Sequence, residues 1–245
     1  MPARTTQKTE APRPAGGSIR HGRPRTATAA SRIYADLRTE LVSLHRRPGE
    51  PISEAEIGLS YGVSRTPVRE AILKLSDDGL VEIFPQSGIF VSRIPLAALP
   101  EAIIIRKALE ETTTRLAAEL ATSSQILALH SILERQREAD AARDRDGFHQ
   151  ADELFHATIA EIARYPGIWK LILQVKVHVD RFRRLTLPQA GRMTQVIAEH
   201  AVILSAIEAH DAAGAAIAMG KHLERLLGDI ASIQNINPEF FDEQR

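Results

Sequence analysis

Cysteine is absent from this 245-residue chain, which excludes disulfides, thiolate metal sites and cysteine nucleophiles and fits a reducing compartment. Any metal would have to be held by His, Asp or Glu. Long hydrophobic runs are missing as well. No apolar stretch approaches the roughly 18 residues that cross a bilayer, and no apolar core follows the basic residues near the N-terminus. The expectation is a cytoplasmic protein with no membrane partner. Net charge is also lacking, since 31 Lys and Arg balance 31 Asp and Glu. The balance is uneven: residues 1–93 carry an excess of four positive charges and residues 94–245 an excess of four negative ones. A basic front end favours a polyanion. Apolar side chains, by contrast, make up 44% of the chain, enough for one large core or two modest ones.

Residues 1–30 hold Pro, Gly, Thr, Ala and six basic side chains with almost no large apolar residue, so a disordered basic tail is expected there. Ile33, Leu37, Leu41 and Leu44 then recur at helical spacing behind Ser31, and the pattern stops at Pro48-Gly49. Ser53 to Glu56 reads as a capping box opening a second helix that Gly62 ends. Ser64 caps a third, with Pro67 in its first turn and Val68, Ile72 and Leu75 on one face. Two β-prone runs, 80–84 and 89–91, flank Pro85-Gln86-Ser87-Gly88, a hairpin signal. Together these define a winged helix-turn-helix over 31–94. A linker over 95–100 leads to helical patterns at 101–121, 123–144, 147–163, 167–186, 191–210 and 213–234. The expected fold is therefore mainly α: an N-terminal winged helix-turn-helix, an all-α six-helix bundle over 101–235 and a tail over 236–245.

In a helix-turn-helix the N-terminal residues of the last helix approach base edges in the major groove. Arg65 and Arg69, four apart, share one face there, and an arginine can grip guanine O6 and N7 with both arms of its fork. Both are expected to read bases, Ser64 and Thr66 to fix the backbone on phosphates, and Gln86, Ser87 and Gly88 at the wing tip to meet the minor groove. The competing reading is a solvated face, with Arg69 paired to Glu70 or Asp36.

The pattern at 147–163 turns Asp152 and His156 inward with Phe148, Phe155, Ile159 and Ile162. His200 falls on the line of Val196, Ile203 and Ile207, and His222 lies between Met219 and Leu226. An inward carboxylate needs a partner or a cation. Asp152, His156, His200 and His222 could bind one divalent ion, with Zn²⁺ first and Ni²⁺, Mn²⁺ or Fe²⁺ as alternatives, or could each be a hydrogen-bonded core residue. Arg106 heads the first bundle helix, where an inward guanidinium beside a metal would favour an organic-acid anion. Arg181, Arg183 and Arg184 offer the same chemistry.

Gly62-Val63-Ser64-Arg65-Thr66-Pro67-Val68-Arg69-Glu70-Ala71 and Gly88-Ile89-Phe90-Val91 resemble the DNA-binding domain of GntR-family bacterial regulators. Residues 101–234 resemble the helical FCD domain of the FadR subgroup on Arg106-x-x-Leu109-Glu110, Asp152-x-x-x-His156, Glu199-His200 and His222-Leu223. The resemblance implies base contacts by Arg65 and Arg69, a divalent metal on Asp152, His156, His200 and His222, and a homodimer on a pseudo-palindromic double-stranded DNA operator. A ligand-responsive regulator follows, with repression simpler than activation and a small carboxylate beside the metal as effector. The rivals are a helical metalloenzyme with a DNA-binding appendage, with Glu153 its nearest base, and a regulator whose metal is purely structural.

Overall fold

The computed structural model describes residues 28–233 and 238–242, without the side chains of 231–233. The remainder of the tail expected over 1–30 and most of that over 236–245 lie outside the described residues. Helix α1, Ala29–Val42, starts before the predicted Ser31: Thr28 is extended, and its hydroxyl accepts the Ser31 amide. Its apolar face buries Ile33, Leu37 and Leu41. After the two-residue strand β1, Pro51–Ile52, comes α2, Glu54–Tyr61, whose Ser53 cap accepts from the Glu56 amide at 3.3 Å. Gly62, at φ 63°, makes the left-handed step into the turn.

Helix α3, Arg65–Asp77, packs on α1 through Val68, Ala71, Ile72 and Leu75. Strands β2, Val81–Phe84, and β3, Gly88–Val91, form the hairpin, and β3 lies between β1 and β2 in an antiparallel sheet. Gln86 shares the positive φ that sequence assigned to Gly88 alone, at 68° and 117° respectively. These parts enclose a core in which each large apolar side chain contributes about 1.5–3 kcal/mol of burial.

A 3-10 turn, Leu96–Ala98, leads into α4, Leu99–Leu120, and then α5, Ser123–Ala142, and α6, Arg145–Ile162. The segment expected as one helix over 167–186 is two, α7, Pro166–Val175, and α8, Val177–Thr186, meeting at Lys176. Helices α9, Arg192–Glu208, and α10, Ala212–Ile233, complete the bundle. The bundle core joins Phe148, Phe155 and Ile159 of α6 to Ile203 of α9 and Met219 and Leu223 of α10.

The two domains are locked at α8. Val177 enters the winged-helix core, and the buried Arg181 donates to the Ser92 carbonyl at 2.5 Å and to its hydroxyl at 3.1 Å. Gly79, at φ 72°, allows His178 to approach closely: a Cβ there would stand 3.1 Å from its Nε2. Phe241, beyond α10, is buried with Ile94, Val179 and Phe182 beside the linker.

Candidate metal centre and nucleic-acid interface

On the winged helix, Ser64 is the N-cap of α3 but its side chain makes no cap hydrogen bond. The predicted hydroxyl cap is absent, and Ser64 is exposed at the N-terminus of α3, the helix end that suits a phosphate. Arg65, Thr66 and Arg69 are exposed on the same helix. Neither guanidinium has an ion-pair partner among the described residues, and Asp36 instead accepts from the Tyr61 hydroxyl. Gln86, Ser87 and Gly88 stand exposed at the hairpin tip. All seven residues named from sequence therefore sit on accessible surface at the tip of α3 or of the wing.

Within the bundle, His156, His200 and His222 each present a donor atom within 4.8 Å of the others, and all three are buried. Their orientation is fixed from outside the cluster. The Gln136 side-chain oxygen of α5 lies 3.0 Å from His200 Nδ1, so that nitrogen carries the proton. Glu199 Oε2, 2.6 Å from His222 Nδ1, selects the same tautomer there and also anchors Arg225 through its other oxygen. Both Nε2 lone pairs then face each other across 3.4 Å. Two bare acceptors at that distance call for a shared proton or cation. Donors about 2.0–2.1 Å from one tetrahedral ion are about 3.3 Å apart. His156 adds a buried Nε2 with no hydrogen-bond partner, while its Nδ1 lies 2.5 Å from Glu110 Oε2. The donor set fits a divalent ion.

Asp152 is adjacent but differently engaged. Its Oδ1 stands 3.8 Å from His200 Nε2, and both oxygens accept from the fork of Arg183 on α8, at 2.6 and 2.7 Å. Burial raises the cost of its charge, but Arg183 outweighs this and holds the carboxyl well below the ordinary range. Arg106 is buried, and its Nε donates to Glu110 Oε1 at 2.7 Å. Glu110 thus ties Arg106 to His156, and Arg106 with His156 keeps it ionised despite complete burial. Arg184 meets Asp146, and Glu153 meets Lys176 rather than the histidines. Gln136 was not singled out by sequence reasoning, and Glu110 and Glu199 stood only within the motifs of the resemblance, with no role assigned. Only Glu110 had a local signal, its i, i+4 spacing from Arg106.

The buried imidazoles carry a pH signature. Burial, then the neighbouring His222, pushes His200 well below its ordinary value of 6.5, and burial lowers His222. Burial, with nearby arginines, lowers His149 strongly and brings His178 to about 4. The unfolded chain takes up protons near 6.5 that the folded chain refuses, so stability is full above that pH and falls on acidification towards 4. Each such group contributes a slope of at most about 1.4 kcal/mol per pH unit. Urea midpoints of metal-free protein are expected to drop steadily from pH about 7 to about 5; a flat profile would contradict the buried neutral imidazoles.

A winged helix with an exposed recognition helix, joined to an all-helical domain with a buried histidine cluster, defines a DNA-binding transcriptional regulator. Residues 29–91 match the bacterial regulatory protein gntR family and residues 101–225 the FCD domain. The chain is 33% identical over 219 residues to the HTH-type transcriptional repressor RspR of Escherichia coli, covering 89% of this chain and 96% of that protein. It is 36% identical over 210 residues to an HTH-type transcriptional regulator in an unstable DNA locus of Streptomyces ambofaciens, covering 85% and 88%. Among solved structures, E. coli McbR/YncC superposes with a TM-score of 0.72 at 23% identity, over 84% of this chain and 99% of that one. A GntR-type regulator from Rhodococcus gives 0.66 at 26%, over 84% and 97%. The chain belongs to the GntR family and carries an FCD domain. No helix among the described residues is long and apolar enough to cross a membrane.

Proposed function

We propose that this regulator is a cytoplasmic homodimeric repressor whose grip on a pseudo-palindromic operator is altered by a small carboxylate bound beside a divalent ion in the helical domain. The observation that carries the sensor half is the 3.4 Å approach of the buried Nε2 atoms of His200 and His222, with the buried His156 converging on them. His156, His200 and His222 hold the ion, Zn²⁺ first, and Asp152 supplies a fourth donor through lone pairs not directed at Arg183. Bound there, such an ion is a Lewis acid that can take a carboxylate in an open position. Arg106 supplies the positive counter-charge. Glu110 holds it in place through its Nε.

Asp152 and Arg183 tie the cluster to α8, and α8 is the element locked to the winged helix through Val177 and Arg181. An effector that favours one seating of α8 therefore shifts operator affinity, and by linkage DNA shifts effector affinity equally. Exposed apolar side chains on the outer faces of α4 and α10, Ile104 and Ile217, support pairing of two copies. The similarity to RspR, a transcriptional repressor, supports the sign of regulation.

Arg65→Ala tests the reader. Loss of a bidentate guanine contact is expected to cost about 1–3 kcal/mol at each half-site while leaving the oligomeric state unchanged. The measurement is fluorescence anisotropy on a genomic fragment selected by the wild-type protein, against random DNA of equal length. Unchanged discrimination would remove Arg65 from the recognition surface, and with it the major-groove docking.

A further inference from the structure

A cavity of about 450 Å³ lies between the two domains, away from the histidine cluster. The winged helix contributes Ser43, Leu44, His45 and Arg47 from the chain leaving α1; the bundle contributes the start of α6 and the end of α8; and Glu239 and Phe240 close it from the C-terminal side. Its volume suits a small organic molecule. Three guanidinium groups reach it, those of Arg47, Arg145 and Arg184, against the carboxylates of Asp146 and Glu239. Arg184 is already neutralised by Asp146. Arg47 and Arg145 have no side-chain ion pair among the described residues, so the cavity retains an unpaired positive charge.

At its inner wall stands His149, 6% exposed, whose buried Nε2 has no hydrogen-bond partner. Leu44, Leu185, Leu187 and Phe240 add apolar wall to these polar groups. Two guanidinium groups free of ion pairs, set beside apolar walls, are the complement of a small organic anion, a carboxylate or a phosphate ester.

We propose that this interdomain cavity is a second anion site, separate from the metal-adjacent one, which binds a small organic carboxylate or phosphate between Arg47 and Arg145. Because its walls come from both domains, its occupant clamps the exit of α1 onto α6 and α8 and so fixes the seating of the winged helix on the bundle. It is an input to operator affinity that does not pass through the histidines.

The test is calorimetric titration of the full chain, stripped of metal by a chelator, with succinate and with inorganic phosphate as separate probes at up to about 10 mM. Wild type is expected to bind at least one of them at a single site. The Arg47→Gln/Arg145→Gln variant, altered only at exposed side chains, is expected to bind it at least tenfold more weakly, and His200→Ala within about twofold of wild type. Binding of succinate alone assigns the site to carboxylates, and binding of phosphate alone to phosphate esters. Binding of neither probe, equal binding by the arginine variant, or loss of binding in His200→Ala would each overturn the proposal.

Discussion

Asp152→Ala is expected to destabilise the metal-free protein by about 3–5 kcal/mol, a large fraction of a domain's total stability. The reason is the partner left behind. Arg183 is 4% exposed, and both of its terminal nitrogens donate to Asp152. With the carboxylate gone, a guanidinium that Asp152 holds charged against its burial has no equivalent acceptor in place. Removing both charges in Asp152→Leu/Arg183→Met leaves no orphan and is expected to recover most of the loss. Urea unfolding of chelator-treated wild type, single variant and double variant measures this directly. If Asp152 acted only through a metal ion, the chelated single variant would match wild type to within about 0.5 kcal/mol. The prediction thus separates the ion pair from the ligand role that spacing alone suggests.

The fold was legible because its signals are local. Ile33, Leu37 and Leu41 repeat at helical spacing, Gly62 must take a left-handed turn, and Gly88 marks the hairpin; each is visible within a few residues. The predicted helices of the bundle agree with the observed ones to within a few residues, except at Lys176. No proline or glycine marks that break. It falls where Lys176 turns in to meet Glu153 and Asp180, contacts made partly across helices. The α1 cap was misplaced for a related reason. Thr28 and Ser31 can both cap, and the residue that does so is the one whose backbone is extended.

In the candidate site, the ring-bearing residues were legible because an inward histidine on an amphipathic face stands out against Val and Ile. Their partners were not. Gln136 lies 64 positions from His200, and Glu199 lies 23 from His222, so only the crossing of the helices brings them together. The pairing of Asp152 with Arg183, 31 positions away, is hidden for the same reason: three nearby arginines had equal standing by sequence, and the rotation of α8 directs Arg181 to Ser92, Arg183 to Asp152 and Arg184 to Asp146.

The second large effect concerns the cluster itself, and Trp169, the only tryptophan of the chain, is placed to report it. Its ring lies 6.1 Å from that of His156 with an interplanar angle of 4°. Addition of Ni²⁺ or Co²⁺ to metal-free wild type is therefore expected to quench its emission with saturation at one ion per chain. His200→Ala removes one of three converging imidazoles and is expected to weaken this binding by about 3 kcal/mol or more, over about a hundredfold. Gln136→Leu leaves all three rings in place and removes only the acceptor that fixes the His200 tautomer, so a smaller loss of about 10–100-fold is expected. The ordering of the two variants is the discriminating result. Equal affinities in wild type and His200→Ala would show that the rings converge for packing alone, in keeping with the 4.3 Å stacking of His200 on Phe155. An unaffected Gln136→Leu would show instead that the bare Nε2 of His200 does not depend on its outer hydrogen bond.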